Sequence, residues 1–376
     1  MWEKLGLEAV KSIYSSELRK KFFSKQKFLN YDIKWLMNQY PDHRPINELN
    51  PYTEAVRWLG KNAEETLKNI SEIKLCIDEQ TFKLDSNSSD LDAFQGESLA
   101  KFKDIGKMTS NEKVIRLDSL KLDKGKTTLN IRPAFYSDQV KSNLVLDWEG
   151  PHTLSKQANI KTLRSFFNAR YGNSLPPLSD QTLGNTIGVS AIVLYRENKE
   201  LIPYLPQRIG NKFRDIIRKT GRTDKSIAVF EGGYHCTASG AAEWRECDTF
   251  DEMITEDIYC ELKEEVGLKK ENIELLIPVA LCREYLRGGK PQIFFVGITN
   301  CSKKELDNLR TEAINTSIQA GEVPEIHDVT YKNISGIDLY NELKNKGITL
   351  EALGNLYYVD SFIKAFKLFG DSPPPP

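Results

Sequence analysis

Residues 249–268 read TFDEMITEDIYCELKEEVGL, and they decide the fold because both ends of a helix are written into them. Thr249-Phe250-Asp251-Glu252 has the spacing of a capping box, with a hydroxyl and a carboxylate able to satisfy exposed amides at a helix start. Gly267 stands where a helix ends in a left-handed residue. Between them Ile254, Ile258, Leu262 and Val266 recur every four residues as one apolar stripe. Glu261, Glu264 and Glu265 fall at i, i+3 and i+4 and are expected to converge beside it. Like charges at these spacings repel by roughly a few tenths of a kcal/mol per pair in water, and by more once partly desolvated. A hard divalent cation, Mg²⁺ or Mn²⁺, relieves this by accepting carboxylate oxygens at about 2.0–2.2 Å, and it bridges readily to phosphates. Taken alone, ELKEE is more often a solvated acidic face, since charge runs are common.

The neighbouring segments alternate strand and helix. Upstream, TIGVSAIVLY (186–195), the turn RENKE and LIPYLPQRI (201–209) predict a hairpin with one long buried strand, and KSIAVFEGGYHCTASG (225–240) a strand running into a loop. Downstream, ELLIPVALCREYL (274–286), the turn RGGK and PQIFFVGIT (291–299) predict a second hairpin. ELDNLRTEAINT (305–316) and LGNLYYVDSFIKAFKLF (353–369) read as helices, ahead of an unstructured tail, SPPPP. Residues up to about 75 show helical periodicity, broken weakly at Gly60, and 84–112 are polar and Ser/Asp-rich. From 113 the period becomes two in VIRLDSLKL, TTLNIRPAFY and KSNLVLDW (141–148), which predicts a small antiparallel sheet. A helix over NIKTLRSFFNARYGN stops at Gly172, and SLPPLSD marks a boundary near 180. The expected organisation is a helical region and linker (1–110), a β-rich accessory segment (111–180), a main domain (181–368) and a tail (369–376).

The stretch Glu252 to Leu268 resembles the signature helix of the Nudix hydrolase superfamily. That pattern is glycine, five residues, glutamate, seven residues, Arg-Glu, an aliphatic, any residue, Glu-Glu, any residue, glycine, aliphatic. Seven of its nine defined positions match, while Glu246 holds the first glycine position and Cys260 the arginine position. The flanking hairpins are also similar to the superfamily, over residues 183 to 365. The resemblance implies an α+β fold, a Nudix-type α/β/α sandwich with a mixed sheet. It further implies that Glu261, Glu264 and Glu265 bind Mg²⁺ or Mn²⁺, with Glu252 auxiliary. The family arginine orients the carboxylates by ion pairing, a charge Cys260 does not supply; Ser239-Gly240 offers the close approach that the absent glycine would give.

The implied activity is pyrophosphohydrolysis of a nucleoside diphosphate linked to another group. Arg208, Arg283 and Arg287 are the expected phosphate contacts, although each such side chain is more often a surface or hairpin charge. Glu322 and Glu325 in AGEVPEI are candidates for a base or extra ligand, against the commoner exposed acidic loop. Tyr285 and Phe294 are candidates for stacking a base, although strand aromatics are usually core. The alternative function is a Nudix fold acting as a nucleotide sensor or interaction protein. Isomerase chemistry of the isopentenyl diphosphate type, which shares the fold, needs a cysteine opposite a glutamate, and Cys236 does not align with it. His235 and Cys236 are adjacent on a strand, face opposite sides and do not make a nucleophilic pair.

Composition agrees with a globular chain. The 376 residues are 40% hydrophobic and 28% charged, which excludes wholesale disorder. Fifty-two Lys and Arg nearly balance fifty-three Asp and Glu, so the chain as a whole lacks the basic excess of a DNA-binding protein. The six cysteines form no C-x-x-C pair, which suits reduced thiols in a cytosol. No uncharged apolar run approaches the roughly 18 residues that span a bilayer. The expected setting is cytoplasmic, with no membrane and no DNA. The expected partners are a nucleotide-type small molecule and, through the N-terminal region, a protein partner or a second copy of the chain.

Overall fold

A computed structural model describes residues 28–29, 32–47, 50–86, 88–104, 111–150, 154, 160–198, 200–208, 233–320, 326–330 (backbone) and 348–368. In chain order the elements are α1 (Ile33–Gln39), β1 (Tyr52–Arg57), α2 (Ala63–Ser71), β2 (Ile73–Ile77), α3 (Ser89–Asp104), β3 (Lys113–Asp123) and β4 (Lys126–Phe135). Next come α4 (Tyr136–Val140), α5 (Leu163–Tyr171), β5 (Gly188–Glu197), β6 (Glu200–Pro203), β7 (Pro206–Arg208) and β8 (Ala238–Ala241). Then follow α6 (Glu256–Val266), β9 (Ile273–Glu284), β10 (Lys290–Thr299), α7 (Lys303–Gln319), β11 (Ile326–Thr330) and α8 (Leu350–Ala365). The architecture is α+β.

The main sheet has the order β1-β9-β10-β5-β6, with β8 also paired to β5. β9 and β10 form an antiparallel hairpin, whereas β10 and β5 run parallel from Gln292 opposite Gly188 to Ile298 opposite Leu194. β10 is buried along its length and β5 up to Tyr195, because each face is covered by a helix. Val189, Ala191, Val193 and Phe295 pack toward α6 through Ile258 and Leu262. Their alternates Ile192, Leu194, Phe294 and Val296 pack toward α8 through Leu356, Val359 and Phe362. The period-two alternation of the strands thus separates two apolar cores, one on each side of the sheet.

Two sequence expectations fail here for identifiable reasons. The region 1–110 is not wholly helical: YTEAVR forms β1, hydrogen-bonded to β9, and IKLCI forms β2, parallel to β4. Pairing with a waiting strand overrides the helix propensity of its Glu and Ala. KSNLVLDW is not a third accessory strand, because it folds as successive turns, with Leu144 N–H donating to Gln139 O and Trp148 N–H to Val145 O. Val145 and Leu146 are both fully buried, so neighbouring residues face the same core and alternation is lost. The β3–β4 hairpin is antiparallel as expected. Its Ile115 and Leu117 join the same core as α6. The helical expectation for 1–27, most of the strand expected over 225–240, and the tail 369–376 lie outside the described residues. Among those described, no helix is long and apolar enough to cross a membrane.

Candidate functional site

The glutamate-rich helix is held at both ends. Glu252 N–H donates to Thr249 Oγ1 at 3.2 Å, and the Thr249 hydroxyl donates to Glu252 Oε2 at 2.8 Å. A π turn over Asp251–Thr255 then leads into α6. At the other end Gly267 takes φ +73°, with its N–H bonded to Lys263 O at 3.1 Å and that of Leu268 to Leu262 O at 3.0 Å. Ile254, Ile258, Leu262 and Val266 are fully buried. Glu252 therefore fastens the helix start.

With its apolar stripe on the sheet, α6 presents its three glutamates in different settings. Glu261 lies so close to the backbone of β8 that a Cβ at Gly240 would overlap its carboxylate. Glu265 is buried and accepts from Ser239 N–H at 3.4 Å. Glu264 is exposed. The structure brings Glu261 and Glu265 to the Ser239-Gly240 step, with Glu264 on the solvent side. Among the described residues no three His, Cys, Asp or Glu side chains are gathered closely enough to hold a metal ion. Cys260, at the family's arginine position, is exposed, and Arg245 from the preceding loop influences it electrostatically. Arg245 pairs with Asp257, whose carboxyl burial pushes up to about 7 against the opposing pull of that guanidinium.

A second polar group collects on the α8 side of the sheet, where β5 and β10 begin side by side. His235 places Nε2 2.7 Å from Ser239 Oγ and Nδ1 2.6 Å from Thr349 Oγ1. Glu351, in the first turn of α8, accepts at Oε1 from Gln292 Nε2 at 2.9 Å and sets Oε2 3.9 Å from His235 Nε2. Gln292 Nε2 also reaches Ser190 Oγ at 3.3 Å. Arg208 Nη2 lies 3.5 Å from Ser239 Oγ, and Arg287 Nη1 donates to Glu284 Oε2 at 2.9 Å. Burial holds the His235 imidazole well below its usual range, and the Arg208 and Arg287 charges add to this, so the ring is neutral. Burial also raises the Glu351 carboxyl, opposed by Arg287 and Arg208. Lys290 is brought down to about 8, by burial first and then by Arg287.

Of the expected phosphate contacts, Arg208 and Arg287 belong to this group. Arg283 turns elsewhere: its Nε donates to Gly289 O at 3.0 Å and its Nη2 to Pro176 O, so it ties the β9–β10 turn to the 174–180 connection. Tyr285 packs against Tyr40 and donates to His43 O at 3.0 Å, and Phe294 is enclosed by Tyr52 and Tyr358; both are core. Glu322 and Glu325 lie outside the described residues. Sequence reasoning missed Lys290, Gln292, Glu284 and Glu351. Lys290 sits in a glycine turn and Glu351 in a helix first turn, where a charge is ordinary, and only the parallel register of β5 and β10 brings them together.

No family model matches the chain, and no curated protein matches it. Among solved structures, the crystal structure of Shewanella oneidensis NrtR is similar over 46% of this chain and 77% of that chain, with 15% sequence identity and a TM-score of 0.22. At that level of similarity the reading of the site rests on this chain's own residues and geometry.

Proposed function

We propose that the chain is a Nudix-type pyrophosphohydrolase, cleaving the phosphoanhydride of a nucleoside diphosphate linked to another group. The observation that carries this reading is the approach of Glu261 and Glu265 to the backbone at Ser239-Gly240, where a side chain at position 240 would not fit. The donor set suits Mg²⁺ or Mn²⁺ because it consists of hard carboxylate oxygens. Glu261 and Glu265 would hold the ion beside the Ser239-Gly240 step, and Glu264, which is exposed and not gathered with them, would join only by turning its side chain inward. Bound there, it would polarise the phosphoanhydride and lower the pKa of a water nucleophile. Arg208 and Arg287 orient the phosphates, and the apolar packing of α6 fixes the carboxylates' common origin. The test is product release from a panel of nucleoside triphosphates, dinucleotide polyphosphates and nucleotide sugars with Mg²⁺ or Mn²⁺. Glu264→Gln is expected to cut turnover by about a hundredfold or more. Because Glu264 is exposed, the same variant leaves the thermal melt unchanged. Wild-type turnover in that variant rejects the assignment.

A nucleotide-binding module without turnover is the second reading. It is favoured by Cys260 at the arginine position and by the outward setting of Glu264. Saturable nucleotide binding with no product under any metal condition supports this reading over hydrolysis.

A further inference from the structure

Asp257, Glu261 and Glu265 lie at i, i+4 and i+8 on α6, and each meets the chain segment 239–245, which runs antiparallel beside the helix. One edge of that segment is taken by neighbouring strands. Ser239 and Gly240 pair with β5, Ala242 N–H donates to Ile187 O at 2.9 Å, and Trp244 N–H donates to Lys113 O at 3.0 Å. The amides of Ser239 and Glu243 turn to the other edge, where Glu265 Oε1 accepts the first at 3.4 Å and Asp257 Oδ2 the second at 3.0 Å. The spacings agree: α-helix from 257 to 265 rises about 12 Å, and strand from 239 to 243 spans about 13 Å. Helix and strand therefore stay in step from one contact to the other, and Gly240 falls against Glu261 between them.

The three contacts differ in kind. Asp257 is 3% exposed and has both oxygens engaged, Oδ2 by the Glu243 amide and Oδ1 by the Arg245 guanidinium. Bonds assisted by charge are stronger than neutral ones. The aspartate side chain is also one methylene shorter than a glutamate, so it passes less slack to the backbone. Glu265 reaches its amide at the longer distance of 3.4 Å, and the Glu261 carboxylate is the far end of a flexible side chain. A carboxylate that takes a metal ion must be able to turn toward it, whereas Asp257, engaged on both oxygens, suits anchoring. The Arg245 charge is also felt at Cys260, the residue before Glu261, so the guanidinium lies beside the turn from which Glu261 projects.

We propose that Asp257, clamped by Arg245, is a positioning residue: it sets the register of α6 on the strand, so that Glu261 faces Gly240 and Glu265 reaches the Ser239 amide. Asp257 and Arg245 act through the two glutamates rather than on the reacting atoms. That the positioned glutamates hold a metal ion for hydrolysis rests on the reading given above; the register device itself does not.

The experiment is amide hydrogen exchange of the full chain, read by mass spectrometry at residue resolution at pH 8, above the value of about 7 at which Asp257 titrates. In Asp257→Ala the Ser239 amide is expected to exchange about tenfold faster than in wild type or more, although the bond removed is the one to Glu243. Exchange in the β9–β10 hairpin is expected to stay as in wild type, which controls for general loosening. Arg245→Met is expected to act in the same direction, and Arg245→Lys, which keeps the charge, to recover part of the protection. Faster exchange confined to Glu243 and its neighbours, or spread equally over β9–β10, overturns the proposal. The second measurement is Mn²⁺ binding without nucleotide, followed by the electron spin resonance of the free ion. Wild type is expected to bind saturably and Asp257→Ala about tenfold more weakly or worse, and equal affinity in the two overturns the positioning role. If wild type binds no Mn²⁺ and releases no product, the hydrolase reading falls, and exchange at Ser239 still decides the register.

Discussion

At the scale of single residues, Asp257 offers a test of burial that needs no ligand. It is 3% exposed on α6, it accepts from Glu243 N–H at 3.0 Å, and its carboxyl titrates at about 7, against an ordinary value of 3.8. Between these two values the folded protein holds a proton that the unfolded chain has released. Its contribution is therefore fully present below about pH 4 and is lost as pH rises through about 7. Comparing the melting temperatures of wild type and Asp257→Asn across that window isolates the contribution. The wild type is expected to lose stability relative to the variant as pH rises, and parallel curves would show that the carboxyl is not perturbed. The Arg245 guanidinium opposes the burial effect, so Arg245→Met is expected to move the inflection upward.

At the scale of elements, the contact between β8 and α6 is the point where shape governs chemistry. Gly240→Ala would set a methyl against the Glu261 carboxylate, the far end of a flexible side chain. The side chain swings away at small cost to the fold. The expected outcome is a clear loss of turnover with a melt close to that of wild type, and retained turnover would show that Glu261 need not approach the strand. The helix itself was legible: its four-residue stripe is buried, Thr249 and Glu252 bond to each other, and Gly267 ends it in the left-handed region. The hairpin around RGGK was legible too, because the long apolar runs on either side leave strands as the economical solution. What was not legible shares one cause. β1, the turns over 141–148 and the clustering of Lys290 with Glu351 are fixed by partners far away in the sequence, and local periodicity carries no information about them.

At the scale of the whole molecule, a buried arginine helps tie the helical layer to the sheet. Arg164 is 1% exposed and makes a two-pronged pair with Asp147, at 2.6 and 2.8 Å. It also donates to the Tyr40 hydroxyl at 2.8 Å and to the carbonyls of Tyr285 and Leu286 at 2.9 and 2.7 Å. The last two belong to the β9–β10 turn that carries Arg287 and Lys290, and Tyr285 and Leu286 share a core with Phe94, Trp148, Phe167 and Leu350. At the opposite side of the sheet, the end of β1 and the β3–β4 hairpin contribute Trp58, Ile115, Leu129 and Ile131 to the core beneath α6. Residues from all three expected regions thus share cores, so the chain is expected to unfold in one transition. Arg164→Met leaves the largely buried Asp147 carboxylate without that counter-charge, a loss of about 3–5 kcal/mol. Scanning calorimetry checks both points: the variant is expected to melt well below wild type and still in a single peak whose calorimetric and van't Hoff enthalpies agree. Two separated peaks in the wild type, or a shift in Arg164→Met confined to one of them, would mean that the helical layer and the sheet fold independently, and that the β9–β10 turn does not depend on the helical layer for its position.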